Sequence, residues 1–409
     1  MQGFSERMLE PGTLTVPHRE MPKVAIMIVA GERSGDIYGA GLARALRARL
    51  AGLEVFGCGG DALRQAGADT VVDAHQLSLA GITEIISGIP RVYRAFHRLL
   101  EEVDHRQPQL AILIDFPDFN LRMARQLKKR KVPVVYFVSP QVWAWRKRRV
   151  QKLKARIAKM IVIFDFEEEI YRRAGVPVEY VGHPLVDMVR PHLTREQFFA
   201  KVDLDASVPT VALLPGSRKQ EVTANLPVML DAATRLTLHH QLQFIVAVAP
   251  TIDPAWVETT LLECYVGRAT VRSAVHATYD ALQHTDVAVV ASGTATLEAA
   301  LRERPMVVVY RVSPITWLVG KFLVNVPFYS MVNILAKKEI VPELMQHDFS
   351  AANVAARVEY LLEHSEAREA MIQGFRALRP RLGPGGAIER AADAVVRLLQ
   401  SFGTTRMEG

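Results

Sequence analysis

The sequence predicts an α/β protein built from two doubly wound domains that face a cleft. Short apolar runs alternate with helical patterns from Val24 onward, as "VAIMIVAG" (24–31) is followed by "YGAGLARALRARL" (38–50). The same alternation restarts after the stretch 190–206, with "TVALLPGSR" (210–218) and "FIVAVAP" (244–250). Strands that alternate with helices form parallel sheets, and 409 residues give room for two domains.

The remaining elements keep this order. Strands are predicted in "LEVFGCGG" (53–60), "LAILIDF" (110–116) and "VPVVYFVSP" (132–140), with a helix over "LRMARQLKKR" (121–130). Further along, "DVAVVASGTATLEAAL" (286–301) gives strand, loop and helix, and "PMVVVYR" (305–311) gives another strand. Ligands of such sheets bind at the carboxyl ends of the strands. The loops of interest are therefore 30–36, 115–120, 139–146, 215–221 and 291–298.

Composition narrows the class of protein. The formal net charge of +7 favours an anionic partner, which could be a phosphate ligand, nucleic acid or an acidic membrane surface. Cys58 and Cys264 are too few for a disulfide framework or a zinc site. The polar segment Met1–Pro22 lacks the apolar core of a signal peptide. The stretch Ile315–Leu335 is interrupted by polar residues, so we expect a soluble protein with a surface contact rather than a membrane span.

The loop "VAGERSGD" (29–36) connects a strand to a helix and contains three polar candidates. Its glycines permit a tight turn, and the amides at a helix start attract anions. However, Glu32 and Asp36 would repel a pyrophosphate, and the loop lacks the GxGxxG pattern. Ser34 or Asp36 could simply cap the helix, so a structural role and a substrate role both remain open.

The loop "IDFPDFN" (114–120) places Asp115, Asp118 and Asn120 at the tip of a strand. A carboxylate in a cleft can remove a proton from a hydroxyl group. Asp118 or Asn120 could instead cap the following helix. Asp115 comes too early in the chain for capping, so it is the better catalytic candidate.

Two loops of the second half are candidates for binding a diphosphate. "LLPGSRKQEV" (213–222) offers the backbone at Gly216 and Ser217 and the guanidinium of Arg218, which could bind a diphosphate. A plain turn is the alternative, since the loop lacks the GK[ST] sequence of a P-loop.

"ASGTATLEAAL" (291–301) is the second of these loops. Its small residues Ser292, Gly293 and Thr294 would let a diphosphate approach the helix start. Glu298 could accept hydrogen bonds from ribose hydroxyls. The alternative is a helix cap with Glu298 exposed to solvent.

Two further segments have less specific patterns. "SPQVWAWRKRRVQKLKARIAK" (139–159) mixes Trp143 and Trp145 with basic residues, which suits single-stranded nucleic acid, a membrane interface or a sugar phosphate, or else a solvated helix face. "LSLAGITEIISGIPRVYRAFHRLL" (77–100) is apolar with a basic end, which suits either anionic lipid or a core helix with a basic face. His183 is expected to be structural.

Taken together, the motifs resemble one family. From about Lys23 to Leu399 the chain is similar to the lipid-A-disaccharide synthases, through "AGERSGD", "IDFPDFN", "SPQVWAWRKRRV", "VGHPLVD", "LLPGSRKQEV", "ASGTATLEAAL", "PMVVVYR" and "VPELMQ" in this order. The resemblance implies a GT-B fold with two Rossmann-like domains. Residues 23–190 would form the acceptor and lipid side, 206–382 the UDP-sugar side, and 383–400 a helix returning to the first domain, with 1–22 as a flexible extension.

The resemblance also implies a reaction. UDP-2,3-diacylglucosamine and 2,3-diacylglucosamine 1-phosphate would give the β(1→6)-linked disaccharide 1-phosphate and UDP, with inversion and without metal or other cofactor. The enzyme of a Gram-negative bacterium would act in the cytoplasm, peripherally on the anionic inner face of the inner membrane, with no nucleic-acid partner. The oligomeric state stays open, a homodimer included.

The family's site residues carry over to matching positions. Asp115 would be the general base and Arg218 would stabilise the leaving diphosphate. Asn333 would join the nucleotide site, although Val332 stands where the family often has proline. The remaining implied contacts are Gly216, Ser217, Ser292, Gly293, Thr294 and Glu298 on the nucleotide-sugar side, and Glu32, Ser34, Asp36 and Asn120 on the acceptor side.

Three alternatives remain open from the sequence. Another GT-B enzyme, such as a UDP-N-acetylglucosamine 2-epimerase or the peptidoglycan glycosyltransferase, would share the fold and the UDP site. A protein without activity could bind nucleotide or lipid. The segment with the tryptophans could bind nucleic acid, in which case binding would depend steeply on salt.

Overall fold

A computed structural model describes residues 24–74, 77, 82–140, 147–264, 269–311 and 327–407. The expected extension at Met1–Pro22, the tryptophans at positions 143 and 145, and residues 315–326 of the apolar stretch lie outside this described part of the chain. The described helices include none with the length and apolar content needed to cross a bilayer.

The first half of the chain folds around a parallel sheet. Its seven described strands lie in the order β3-β2-β1-β4-β5-β6-β7. Every residue of β1 and β4 in the middle of this sheet is buried. Such strands, covered by helices on both faces, read as the continuous apolar runs seen in the sequence. The strands are β1 (Ala25–Ala30), β2 (Glu54–Gly59), β3 (Asp69–Asp73), β4 (Leu110–Ile114), β5 (Val134–Phe137), β6 (Lys159–Val162) and β7 (Val178–Tyr180).

The second half forms a parallel sheet of the same kind. Its six described strands lie in the order β10-β9-β8-β11-β12-β13. Two separate parallel sheets with helices confirm the predicted α/β architecture of two doubly wound domains. The strands are β8 (Thr210–Leu214), β9 (Gln243–Val248), β10 (Thr270–Val275), β11 (Val287–Ala291), β12 (Met306–Tyr310) and β13 (Glu343–Met345).

Helices connect the strands throughout. Those of the first half are α1 (Arg33–Arg47), α2 (Asp61–Gln65), α3 (Ile82–Arg106), α4 (Pro117–Lys129), α5 (Lys147–Lys154), α6 (Asp165–Arg173), α7 (Leu185–Met188) and α8 (Arg195–Lys201). Those of the second half are α9 (Lys219–Leu236), α10 (Pro254–Cys264), α11 (Thr278–His284), α12 (Thr294–Leu301), α13 (Met331–Ala336), α14 (Ala351–Glu363), α15 (Ser365–Leu378) and α16 (Ala387–Met407).

The last helix, α16, packs against α1 of the first half. Arg49, just after α1, lies 2.7 Å from carboxylate oxygens of both Glu389 and Asp393. Upstream of α16, the amide of Gly386 donates to Asp187 at 2.6 Å. These contacts join the C-terminal helix to the domain of the first sheet, although the elements that precede this helix in the chain belong to the domain of the second sheet.

Each sheet has one point where the direction of winding reverses. In the first sheet this point lies between β1 and β4, and in the second between β8 and β11. The loops that leave neighbouring strands there diverge to opposite faces and leave a crevice, where ligands of doubly wound folds bind. The four loops concerned begin at Gly31, Asp115, Pro215 and Ser292.

Candidate active site

The loop after β4 holds Asp115 in an unusual backbone conformation. Asp115 and Phe116 have φ values of 45° and 50°, a region that residues other than glycine rarely adopt. The amide of Asp115 donates to the carbonyl of Phe137 at 3.0 Å. Its carbonyl accepts bonds of 2.7 Å from the Asn120 side-chain amide and the Tyr136 hydroxyl. The surrounding structure therefore imposes this conformation on Asp115.

The environment of Asp115 suits a general base. Burial raises the pKa of Asp115 to about 7, with a second contribution from the nearby charge of Glu32 and an opposing one from the Phe116 amide. An effective catalytic base has a pKa close to the working pH. This carboxyl group is therefore able to change protonation state near neutrality.

Glu32 connects the two domains. It lies immediately before α1, and its carboxylate is 3.5 Å from the guanidinium of Arg218 in the second domain. The same Glu32 acts electrostatically on Asp115. Three residues that the sequence places in separate loops, Glu32, Asp115 and Arg218, thus belong to one charged cluster across the cleft.

The loop after β8 is already hydrogen-bonded at the amides that a diphosphate would use. The Glu221 carboxylate accepts from the amides of Ser217 at 2.9 Å and Arg218 at 3.2 Å. It also lies 3.0 Å from the Arg218 guanidinium. A methyl group on Gly216, which has φ 133°, would overlap Glu221. A phosphate that bound these amides would have to replace Glu221, a residue that sequence reasoning missed.

The loop after β11 keeps open space at the start of α12. Gly293 has φ 153°, and no atom lies within 4 Å of where its β-carbon would be. Thr294 is exposed, and the Ser292 hydroxyl donates to the carbonyl of Tyr329 at 3.2 Å. The helix start beside Gly293 is therefore accessible to a ligand.

Glu298, one turn into α12, is half-buried near residues of both domains. Burial raises the pKa of Glu298, while Arg33 and Tyr279 act to lower it. The Tyr279 hydroxyl is 3.5 Å from the Glu298 carboxylate. Neither Arg33 nor Tyr279 was identified from sequence. Arg33 lies inside the "VAGERSGD" motif, but only the approach of the second domain reveals its partner.

Three predicted contact residues, Asp36, Asn120 and Asn333, form hydrogen bonds within the protein. Asp36 is buried and accepts from the amides of Gly60 at 2.7 Å, Ala62 at 3.0 Å and Leu63 at 3.2 Å, so it caps α2 and not its own helix. The Asn120 side-chain amide donates to backbone carbonyls. Ser34, by contrast, is half-buried in the first turn of α1.

Asn333 is the third of these residues. It is buried, and its amide donates to Val341 and to Glu343, each at 2.8 Å. Its side-chain oxygen accepts from the amides of Ile340 at 2.7 Å and Val341 at 3.0 Å. These four bonds use its full capacity. Asn333 therefore joins α13 to β13, and its place in the nucleotide site stays a prediction.

Solved structures share the two-domain arrangement. The UDP-GlcNAc 2-epimerase from Neisseria meningitidis bound to UDP-GlcNAc superposes with a TM-score of 0.62 at 11% identity, over 91% of this chain and 100% of that one. The calicheamicin glycosyltransferase CalG4 gives a TM-score of 0.56 at 14% identity, over 93% and 99%. Similarity at such low identity shows the fold alone, and it confirms the predicted GT-B arrangement.

Proteins related by sequence have a much higher identity to this chain. The lipid-A-disaccharide synthase of Solibacter usitatus is 43% identical over 381 residues, which cover 93% of this chain and 98% of that protein. The enzyme of the same name from Myxococcus xanthus is 44% identical over 375 residues, or 91% and 97%. Residues 26–381 match the family model described as lipid-A-disaccharide synthetase. The chain thus belongs to the lipid-A-disaccharide synthetase family.

Proposed function

We propose that this protein joins two acylated glucosamines. UDP-2,3-diacylglucosamine would donate its sugar to the 6-hydroxyl of 2,3-diacylglucosamine 1-phosphate, giving the β(1→6) disaccharide 1-phosphate and UDP. Family membership supports the reaction class. The observation that carries the proposal is the pair formed by Asp115, a carboxyl group with a pKa of about 7, and Arg218, a cation of the other domain, both of which interact with Glu32.

The proposed chemistry is a single displacement. Asp115 takes the proton of the acceptor hydroxyl while that oxygen attacks the anomeric carbon. The bond from that carbon to the diphosphate oxygen breaks on the opposite face, so the configuration inverts and UDP leaves with the bonding electrons. Arg218 and the open helix start at Gly293 stabilise the negative charge that develops on the diphosphate.

The remaining predicted site residues divide between the donor sugar and the acceptor sugar. Gly216, Ser217, Ser292, Thr294 and Glu298 belong to the donor side, and Glu32 and Ser34 to the acceptor side. We assign Asp36, Asn120 and Asn333 to the layer behind these residues, because their side chains hold backbone groups of the site loops.

The acyl chains of both substrates require access from a lipid surface. On α3, Ile89 and Tyr93 are exposed to 57% and 62%. Arg91, Arg94 and Arg98 are exposed on the same helix. Apolar residues beside arginines suit an anionic membrane surface. We propose that the protein works in the cytoplasm at the inner face of the inner membrane and that this part of α3 contacts the bilayer.

A coupled assay tests the reaction. The purified protein receives both acylated sugars in the presence of EDTA, and UDP and disaccharide are followed by mass spectrometry. We expect disaccharide in equal amount to UDP. Asp115→Asn should lower turnover by roughly 10²–10⁴-fold, the usual contribution of a general base, with little change in UDP affinity by calorimetry.

Other outcomes separate the alternatives. Release of UDP without disaccharide, or formation of a 2-epimer from UDP-N-acetylglucosamine, would indicate a different GT-B enzyme. UDP binding without turnover would indicate a binding protein. Normal turnover of Asp115→Asn would remove Asp115 from the base role and leave the reaction itself standing.

A further inference from the structure

The carboxylate of Glu221 divides its two oxygens between the backbone and a side chain of the loop after β8. One oxygen, Oε2, accepts from the amides of Ser217 at 2.9 Å and Arg218 at 3.2 Å. The other oxygen, Oε1, accepts from Nη1 of the Arg218 guanidinium at 3.0 Å. Glu221 therefore connects the backbone of this loop to the side chain that we assign to the diphosphate.

Glu221 occupies a position where a helix favours a carboxylate. It is the third residue of α9, and Arg218 is the residue just before that helix. The first amides of a helix lack partners within the helix, and a glutamate at the third position commonly accepts from the amide of the residue before the helix. Its negative charge also interacts favourably with the positive end of the helix dipole. The helix itself therefore stabilises Glu221 at these amides.

The rest of the loop is built around this carboxylate. A methyl group on Gly216 would lie 2.5 Å from the β-carbon of Glu221 and 2.6 Å from its Oε2, so the glycine makes room for Glu221. The hydroxyl of Thr251 donates to the carbonyl of Ser217 at 2.5 Å. Because the amides of Ser217 and Arg218 already have an acceptor, this loop can offer a diphosphate the side chain of Arg218 more readily than its backbone.

The guanidinium of Arg218 has two terminal nitrogens that face different partners. Nη1 binds Glu221, whereas Nη2 lies 3.5 Å from the carboxylate of Glu32 in the first domain. The Arg218 side chain is 50% exposed, and a long side chain with such freedom loses conformational entropy when a ligand orders it. The contact with Glu221 fixes one end of the guanidinium in advance and leaves Nη2 on the side of the cleft.

We propose that Glu221 is a positioning residue for the donor diphosphate, which binds Nη1 of Arg218 and thereby directs Nη2 into the cleft. This inference rests on the proposed contact between Arg218 and the diphosphate. Glu221 stays in place when the donor binds. The diphosphate then meets the guanidinium of Arg218 and the open helix start at Gly293, and the ordered guanidinium binds it more tightly because less entropy is lost on binding.

A different role for Glu221 would have the opposite consequence. If Glu221 merely occupied the place of a phosphate group, the diphosphate would have to displace it from the amides of Ser217 and Arg218. Any substitution that weakened the contacts of Glu221 would then tighten UDP binding. Positioning of Arg218 predicts weaker binding instead, so the sign of the change in UDP affinity separates the two roles.

The test compares variants of the full-length protein in their affinity for UDP, by calorimetry, and for uridine, by ligand-detected nuclear magnetic resonance. Glu221→Gln keeps the size and one oxygen for the amides, but it turns an NH2 group toward the guanidinium. Glu221→Asp keeps the charge, but its side chain is too short to bridge the amides and Nη1. Asp231→Asn, at an exposed carboxylate further along α9, is the matched control for the loss of one negative charge. Both Glu221 variants are also made in the Arg218→Ala background.

We expect Glu221→Gln and Glu221→Asp to weaken UDP binding roughly threefold to tenfold, less than Arg218→Ala does, because a contact between two partly exposed charges contributes less than the diphosphate contact itself. Uridine, which has no phosphate, should bind these variants and the original protein equally. Asp231→Asn should bind UDP normally. If Glu221→Gln does not fold, Glu221→Asp, which keeps a carboxylate at the helix start, carries the test.

The Arg218→Ala background distinguishes positioning from a general structural role. There, neither Glu221 variant should weaken UDP binding further, since the guanidinium through which Glu221 acts is absent. A role in loop stability alone would weaken UDP binding equally in both backgrounds, and that result would overturn the inference. The loss of a negative charge near the ligand acts in both backgrounds, so the difference between them isolates the contribution made through Arg218.

Two further results would overturn the inference, and they are distinguishable. If Arg218→Ala weakens UDP binding while both Glu221 variants bind UDP normally or more tightly, Glu221 does not position the guanidinium. If Arg218→Ala itself binds UDP normally, the proposed diphosphate contact of Arg218 is wrong and the role of Glu221 is lost with it.

Discussion

The side-chain amide of Asn120 donates a hydrogen bond of 2.7 Å to the backbone carbonyl of Asp115. A second bond of 3.2 Å runs from the same amide to Ile114. Asp115 and Phe116 both have positive φ, and such strained conformations, costing about 1–3 kcal/mol each, persist only where the surroundings enforce them. Asn120 therefore holds the proposed base in place through its backbone.

The second domain repeats this arrangement. The side-chain amide of buried Asn225 in α9 donates to the carbonyl of Pro215 at 2.8 Å, in the loop after β8. In both residues the side-chain oxygen is buried without a hydrogen-bond partner. One asparagine thus holds the loop of the proposed base, and the other holds the loop of the proposed diphosphate contact.

We predict that the two asparagines affect different steps. Asn120→Asp replaces the donor with an acceptor facing two carbonyls, so turnover should fall by tenfold or more while UDP affinity stays normal. Asn225→Asp should weaken UDP affinity instead. Each variant should lose about 1–3 kcal/mol of stability, the usual cost of an unsatisfied buried group. Steady-state kinetics, calorimetry and denaturant unfolding check these effects, and equal effects of both variants on UDP affinity would contradict the assignment.

The accuracy of the sequence-based fold prediction varied with position in the sheet. The sequence made eight strands visible, namely β1, β2, β4, β5, β8, β9, β11 and β12. All four edge strands, β3, β7, β10 and β13, were missed. Edge strands are exposed on one side, and β10 accordingly alternates exposed and half-buried residues, so no continuous apolar run marks them. The interior strand β6 was also missed, because it directly follows the basic segment.

For the proposed site, the sequence located the loops but not the orientation of their side chains. Loops at the ends of apolar strands could be identified because parallel sheets bind ligands there. The direction of each side chain could not. Asp36 lies in the expected motif but accepts from backbone amides at the start of α2, because the first amides of a helix need acceptors. Asn333 forms hydrogen bonds with the backbone of the segment just before β13. The charge of Glu298 acts on Arg33 only because two distant parts of the chain approach each other, and the sequence does not show that approach.

The pH dependence of turnover should report the state of Asp115. A base must be ionised to accept a proton, so turnover at saturating substrate should rise with pH through about 7 and level off above, following the pKa of Asp115. Burial is the larger cause of the raised pKa and the charge of Glu32 the second. Glu32→Gln should therefore lower this pKa and move the acid limb of the profile to lower pH.

The matched control for this experiment is Asp118→Asn, an exposed carboxylate three residues further along the same loop. It should leave the midpoint of the acid limb where it was. A Glu32→Gln profile that coincides with the original one, or that moves to higher pH, would show that Glu32 does not set the pKa of the base.

Arg218 and its neighbour Lys219 should differ sharply in their effect on UDP. Arg218→Ala removes a charge-assisted contact and should weaken UDP binding roughly 10–100-fold, since hydrogen bonds to charged groups contribute about 1.5–3 kcal/mol. Arg218→Lys should fall between, because lysine keeps the charge but not the two-pronged geometry. Lys219 lies over the ring of Trp256 at 4.8 Å, and Lys219→Ala should bind UDP nearly normally. If calorimetry showed that Lys219→Ala binds UDP more weakly than Arg218→Ala, the proposed role of Arg218 in binding the diphosphate would be excluded.

The last prediction compares the effects on stability and turnover of two glycine-to-alanine substitutions. Gly31 lies just before α1, and Gly41 lies within it. A methyl group at Gly31 would overlap the ring of Phe116, whose backbone follows Asp115 directly. Gly31→Ala should displace that ring, destabilise the protein by about 1–3 kcal/mol as overpacking does, and lower turnover. At Gly41, within α1, the nearest side chain is Ile388 of α16 at 3.4 Å, an ordinary contact.

Gly41→Ala should therefore leave turnover unchanged and raise stability by up to about 1 kcal/mol, the difference in helix propensity between the two residues. Thermal unfolding and the disaccharide assay measure both effects. Because the two substitutions add the same methyl group, opposite results would show that the space beside Asp115, and not the loss of glycine as such, limits catalysis. If Gly31→Ala matched Gly41→Ala in both measurements, the Phe116 ring would not position the base.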